Sequence, residues 1–235
     1  MASEKIVALL PMKANSERVK GKNFRDFCGK PLFRWVLDTL LSVDGIDCVV
    51  INTDAREILA AAGLHESERI IIRDRRSELC GDLVSMNKII ADDIAAIDAD
   101  IYVMTHTTNP FISAKTIEAA IAEYKGNVSA GRFDSLFTVD KVQTRFYRAD
   151  ASPINHDPSN LVRTQDLEPW YEENSNLYIF SRQSFAASGA RIGIRPALMV
   201  TPPMESVDID DEADWDFATI AARHLGLAQS QDGNA

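Results

Sequence analysis

The chain has 235 residues, 46% hydrophobic and 26% charged, a composition that can bury a core without disulfide or zinc staples and that argues against disorder. A net charge of -10 disfavours attraction to a nucleic-acid backbone, and no apolar run approaches the ~20 residues of a membrane span. The opening MASEKIVALLPMK lacks the pattern of a secretory leader, and Cys28, Cys48 and Cys80 are too widely spaced for a metal motif, so a soluble cytoplasmic protein is expected.

Residues 6–10, IVALL, form a short apolar run that reads as a buried strand. A polar stretch without periodicity follows over 11–30. Residues 31–43 open with Pro31 and place Leu32, Val36, Leu37, Leu40 and Leu41 on one helical face. Further strands are predicted at 47–51, 69–72 and 101–104, with helices at 55–62, 83–97 and 114–124, the last capped by Ser113. This alternation predicts an α/β fold with a mainly parallel sheet and helices on both faces. After residue 135 the rhythm breaks. Segments 135–139 and 143–148 read as antiparallel strands, and 150–175 as a proline-bearing arm. Strands at 177–180 and 197–200 and a helix at 211–225 complete the chain. One domain over 1–225 is expected, with an excursion at about 141–175 and a frayed tail at 226–235.

Charge is unevenly spread. Residues 11–30 hold six basic side chains against two acids, whereas residues 205–216 hold seven acids and no base. In open α/β sheets ligands bind beyond the carboxyl ends of the strands. The segment PMKANSERVKGKN (11–23) follows the first strand there and carries Lys13, Arg18 and Lys22, groups suited to a triphosphate. It is neither GxxxxGK[ST] nor GxGxxG. Asn52–Asp54 reads as a helix cap. His106, in THTTNP, could meet a base or sugar or serve only the structure. Asp208 and Asp210 flank Ile209, and in an extended segment both carboxylates share one face, an arrangement that suits Mg2+. Asp211, Glu212 and Asp214 read as the acidic N-terminus of a helix. No Ser/His/Asp set or zinc cluster is apparent, and the aromatics do not interleave with the basic strip, which argues against nucleic-acid binding.

Taken in order, seven segments resemble the CMP-sialic acid synthetase (acylneuraminate cytidylyltransferase) family over about residues 5–220. They are PMKANSERVKGKN, GKPLFRWVLDTLL, NTD, RRSELCGDLVS, THTTNP, QDLEPWYEENSNLYIF and ESVDIDDEADW. The resemblance implies a Rossmann-like nucleotidyltransferase fold, CTP and a 2-keto sugar acid as substrates, Mg2+ as cofactor, and a homodimer whose 141–175 arm reaches the partner's site. It implies that Lys13, Ser16, Arg18, Lys22 and Asn23 cradle the triphosphate, that Arg75 and Ser85 contact the nucleotide, and that Asp208 and Asp210 ligate the metal. Lys22, Arg18, Asp208 and Asp210 would carry the chemistry, and His106, Gln165 and Tyr178 would contact the sugar acid. Lys13 stands where the family favours arginine, His106 replaces glutamine, Thr164 a common arginine, and Ser175 a glycine. ESVDID and the Tyr171–Asn174 region are more similar to the sialic type than to the Kdo type, so a nine-carbon, sialic-type acceptor is expected. An eight-carbon Kdo-type acceptor, a different nucleotide, and a nucleotide-binding dimer without turnover are the alternatives.

Overall fold

The computed structural model describes residues 4–227. The elements in chain order begin with β1 (Ile6–Leu9), a small hairpin of β2 (Asp26–Phe27) and β3 (Lys30–Pro31), and α1 (Leu32–Ser42). Next come β4 (Cys48–Thr53), α2 (Arg56–Ala61), β5 (Ile70–Asp74), α3 (Met86–Ala96), β6 (Ile101–Thr105) and α4 (Ala114–Ser129). The chain ends with β7 (Ser135–Val142), β8 (Trp170–Phe180), α5 (Arg182–Ser188), β9 (Pro196–Val200) and α6 (Glu212–His224).

Seven strands form one sheet in the order β5-β4-β1-β6-β8-β7-β9. Only β8 runs against its neighbours, pairing antiparallel with both β6 and β7. The period-2 geometry of a strand divides the core between the two faces. Ile6 and Ala8 point toward α1, α2 and α4, where Phe33, Leu37, Leu59, Ile117 and Ile121 cover them. Val7 and Leu9 point the other way, toward Ile90 and Ile94 of α3 and Phe185 of α5. A third cluster packs α6 against the β2–β3 hairpin through Phe27, Leu32, Ile209 and Trp215. The predicted mainly parallel sheet with helices on both faces is what the chain forms.

From β1 the chain steps outward to β4 and β5, whereas β6 lies on the other side of β1. The resulting switch point lies beyond Leu9 and Thr105, where open sheets of this kind hold ligands.

Several expectations are corrected. Segment 143–148 is not a strand; it carries only an isolated bridge between Tyr147 and Pro153. The antiparallel partner of β7 is β8, which starts at Trp170 rather than at 177. Its first four residues are exposed and polar or amphipathic, so they lack the apolar run of a buried strand. Helix α5 went unpredicted; Ser181 caps it through a reciprocal bond with Ser184. The arm between β7 and β8 thus spans 143–169, and most of the predicted tail lies outside the described residues.

Strand β8 carries an irregularity that reaches the site. Its register against β7 shifts between Phe137 and Val139, opposite Asn174–Leu177. Ser175, where the resemblance expects glycine, has φ +54°. That is the left-handed region, which favours glycine. The bulge turns Asn174 inward, where it accepts from Thr138 Oγ1 (2.8 Å) and donates to Thr201 Oγ1 (2.7 Å) and Ser206 Oγ (3.1 Å). Asn176 donates to the Glu205 carbonyl at 2.8 Å. Two asparagines of the bulge therefore grip the segment that leads to Asp208. Asn174→Ala strands these buried partners and is expected to cost about 1–3 kcal/mol, as read by urea unfolding.

Candidate active site

The loop after β1 is extended alongside β4 by bonds from Leu10 N to Val50 O (2.9 Å) and from Met12 N to Asn52 O (3.1 Å). Ala14 N then donates to Asp54 Oδ1 at 2.7 Å. The buried Val19 anchors the middle of the loop in the α6 cluster. Gly21, at φ +63°, makes the left-handed turn that starts the short 3-10 segment Lys22–Phe24. Asn23 ties the two ends together, donating to the Lys13 carbonyl (2.8 Å) and accepting from Thr107 Oγ1 (2.7 Å).

This folding carries Lys22 to the far end of the chain. Its side chain is only 9% exposed, and Nζ donates to the Ile209 carbonyl at 2.5 Å. Nζ also lies 3.4 Å from Asp210 Oδ1, and Arg18 Nη2 meets the same oxygen at 3.0 Å. The cationic loop and the acidic segment, about 190 residues apart in sequence, therefore meet in space.

The acidic segment is held by the loop after β6. Ile209 N donates to Thr108 O at 2.9 Å. Glu205 accepts from Ser113 N (3.1 Å) and from Ser113 Oγ (2.9 Å). Ile209 is fully buried among the aromatic side chains of the third cluster, so its neighbours Asp208 and Asp210 lie on the opposite face. Asp211 and Asp214 form a reciprocal cap on α6, within the acidic helix N-terminus read from the sequence.

Asp208 is the strained member of this group. Burial pushes its carboxyl above the usual range, with a bond to Thr108 opposing and the Asp210 charge adding to the rise. Its Oδ1 is buried with no hydrogen-bond partner. An orphaned carboxylate oxygen beside a second carboxylate suits a hard dication. Among the described residues no group of three or more His, Cys, Asp or Glu side chains is gathered, so these two aspartates would need oxygens from elsewhere to complete a coordination shell.

Two cations sharing one aspartate, a neighbouring carboxylate with an unmet oxygen, and their place past the switch point of the sheet are features that suit nucleotidyl transfer. The model of the cytidylyltransferase family matches residues 7–210. The chain belongs to that family. It is 24% identical to a pseudaminic acid cytidylyltransferase of Campylobacter jejuni over 92% of this chain and 95% of that protein. It is 27% identical to an N-acylneuraminate cytidylyltransferase of Oncorhynchus mykiss, over 94% of this chain and 51% of the relative. Among solved structures, a CMP:2-keto-3-deoxy-manno-octonic acid synthetase complexed with CTP superposes with a TM-score of 0.63 at 16% identity, covering 94% of this chain and 99% of the other.

The remaining residues of this cytidylyltransferase fall in three groups. Arg75 is spent largely on the protein. It donates to Asn52 Oδ1 (2.9 Å), Asn52 O (2.8 Å) and Met12 O (3.0 Å), which makes it a strut beneath the loop. Asn52 in turn donates to the buried Asp93 Oδ1 at 2.8 Å, so Asn52 is a link in this strut and not the helix cap expected for 52–54. Lys13 pairs with Asp82, which ties the loop to the exposed segment ahead of α3. Ser16 is half-buried within the loop, and Ser85 is exposed at the start of α3.

His106 and Tyr178 meet edge to face, with ring centroids 6.5 Å apart. Gln165 is exposed on the arm, and its side chain makes no hydrogen bond to either among the described residues. Two neighbours of this pair, Glu173 and Arg191, were not singled out from the sequence. Glu173 accepts from the Tyr178 hydroxyl, and Arg191 lies 3.8 Å above the Tyr178 ring. Arg191 lies in no motif, and the resemblance assigns no role to Glu173 within QDLEPWYEENSNLYIF; only the fold brings the two together at Tyr178.

Burial, together with the Arg191 and Lys22 cations, holds His106 down at about 3, with Asp210 opposing. The folded protein therefore keeps this ring neutral while the unfolded chain protonates it below 6.5. Stability from this source is complete above that value and is lost as pH falls toward 3, by about 1.4 kcal/mol per pH unit. His106→Gln is expected to flatten this acid limb, as read from urea midpoints between about pH 7 and pH 4.

Proposed function

We propose that this cytidylyltransferase transfers the CMP group of CTP to the anomeric hydroxyl of a nine-carbon 2-keto sugar acid of the sialic type, with release of pyrophosphate. The observation that carries this reading is the Arg18–Asp210–Lys22 cluster beside the unmet Asp208 Oδ1. In the resting protein, Asp210 neutralises the two cations. A triphosphate entering the cleft would take their charge and free Asp210 to act with Asp208 as a metal pair. Asp208 and Asp210 would hold Mg2+, which supplies charge neutralisation at the α-phosphate and polarises the attacking hydroxyl.

In this reading Lys22 and Arg18 meet the charge growing on the departing pyrophosphate. Asn23 and Ser16 shape the loop, Lys13 contributes charge once released from Asp82, and Arg75 keeps the loop in register. Arg75 Nη1 and Ser85 remain for the nucleotide. His106 and Tyr178 line the acceptor side. In-line displacement draws its acceleration mainly from such positioning and charge.

We also propose a homodimer, with Gln165 reaching the partner's acceptor side. The supporting feature is a set of exposed apolar side chains on the arm, on the start of β8 and on the edge strand β9. Leu161, Val162, Trp170, Tyr171, Leu198 and Val200 all stand exposed there. Among the described residues no helix is long and apolar enough to cross a membrane. With Cys28, Cys48 and Cys80 all free, we place the reaction in the reducing cytoplasm.

The test is pyrophosphate release from CTP and Mg2+ with N-acetylneuraminate, deaminated neuraminate, legionaminate, pseudaminate and Kdo in turn. Release with one or more nine-carbon acids and little with Kdo is expected. Release with Kdo alone would move the acceptor to the eight-carbon class. No release with any acid would favour a nucleotide-binding dimer without turnover.

A further inference from the structure

Arg191 bridges His106, Tyr178 and Glu173. Its Nη1 lies 3.2 Å from His106 Nε2, and its Nη2 is 2.9 Å from the Tyr178 hydroxyl and 3.4 Å from Glu173 Oε1. Its side chain is only 18% exposed. The turn that presents it is pinned from several sides. Arg191 N donates to Asn87 Oδ1 at 3.2 Å, and Gly193 N donates to Ser135 Oγ at 2.8 Å. A Cβ at Gly193 would collide with the Asp134 side chain and the Ser135 hydroxyl, so only glycine lets the turn sit this close.

A guanidinium has donors and no acceptor. His106 Nε2 must therefore accept from Arg191, and the single proton of the neutral ring must sit on Nδ1. Nδ1 has no hydrogen-bond partner among the described residues, and it is not one of the buried, unpartnered polar atoms. The charged and titratable groups around the ring are Arg191, Lys22 and Asp210, with Tyr178 and Glu173 beyond them.

We propose that Arg191 is a positioning residue for the acceptor subsite: by donating to His106 Nε2 it fixes the imidazole as the Nδ1–H tautomer, a standing donor for the carboxylate or a carbonyl oxygen of the acid. The proposal rests on the cytidylyl-transfer reading for the identity of the acceptor, but the tautomer itself does not depend on it. A tautomer that flips would offer an acceptor lone pair to the same oxygen and repel it.

Nitrogen NMR of imidazole-labelled protein without substrate tests the tautomer directly. Wild-type His106 is expected to show a protonated, pyrrole-type Nδ1 and an acceptor-type Nε2. Arg191→Met is expected to move the ring toward Nε2–H and to lower acceptor kcat/KM on the order of 10²-fold, with the KM for CTP little changed. Arg191→Lys keeps a donor and should restore most of both readouts, which a merely structural role would not require. An Nε2–H ring in the wild-type protein would overturn the proposal, as would an Arg191→Met variant with unchanged tautomer and acceptor KM. If no sugar acid gave product while His106 remained Nδ1–H, the acceptor role would fall with the cytidylyl-transfer reading, although the tautomer assignment would stand.

Discussion

Asp208→Asn is expected to lower CMP-sugar synthesis by a factor on the order of 10²–10³ or more while leaving the fold intact, a loss typical of removing one charge-stabilising contact. The physical case is an asymmetry between resting stability and function. Asp208 is buried, its carboxyl is pushed upward by that burial, and its Oδ1 bonds to nothing. An ionised group in that position costs stability, so asparagine should leave the melting temperature of the metal-free protein unchanged or raise it. The same substitution removes one of the two carboxylates proposed to hold Mg2+. A ligand at 100 times its Kd adds about 2.7 kcal/mol, so Mg2+ with CTP should shift the wild-type melting curve and shift the variant much less. Turnover lost together with a folded, thermally robust protein is the expected pair of results. A variant with near-normal Mg2+-dependent synthesis would remove Asp208 from the site.

Lys22→Ala is expected to lower kcat/KM for CTP by on the order of 10²–10³-fold, with a much smaller effect on the acceptor KM. Lys22 differs from Arg18 in its surroundings, and the difference predicts different phenotypes. The Lys22 side chain is 9% exposed and bonded to a backbone carbonyl, so its loss strands the Ile209 oxygen and costs stability of about 1–3 kcal/mol as well as catalysis. Arg18 is 64% exposed, and a pair of that kind contributes only about 0–1 kcal/mol to folding. Arg18→Ala should therefore weaken CTP use with little change in urea midpoint. Comparing the two variants separates the charge supplied to the triphosphate from the packing of the cleft wall. Unchanged CTP kinetics in Lys22→Ala would take the loop out of the site.

What could be read from the sequence follows from how local each signal is. Strands β1, β4 and β6 are fully buried, so they appear as short uninterrupted apolar runs, and α1 announces itself through an apolar stripe behind a proline. The loop cations and the paired aspartates were also visible, because charge segregates strongly along this chain. The first half of β8 was not, since its exposed Trp170–Glu173 resemble an arm until the pairing with β7 is known. The Asp93–Asn52–Arg75 strut escaped for a different reason. Its members come from α3, β4 and the segment after β5, and although Asn52 and Arg75 lie in motifs, nothing in the sequence joins them to each other or to Asp93. Arg191 is the extreme case, a cation in a turn of small residues that becomes informative only when the fold sets it against His106.

The central claim is that the loop after β1 and the aspartates before α6 work on one nucleotide. Crystals grown with CTP and Mn2+ in place of Mg2+ test it most directly. The account predicts an anomalous metal peak bridging Asp208, Asp210 and a phosphate oxygen, with Lys22 and Arg18 turned to the triphosphate. A metal peak away from both carboxylates, or a triphosphate bound outside this cleft, would contradict it.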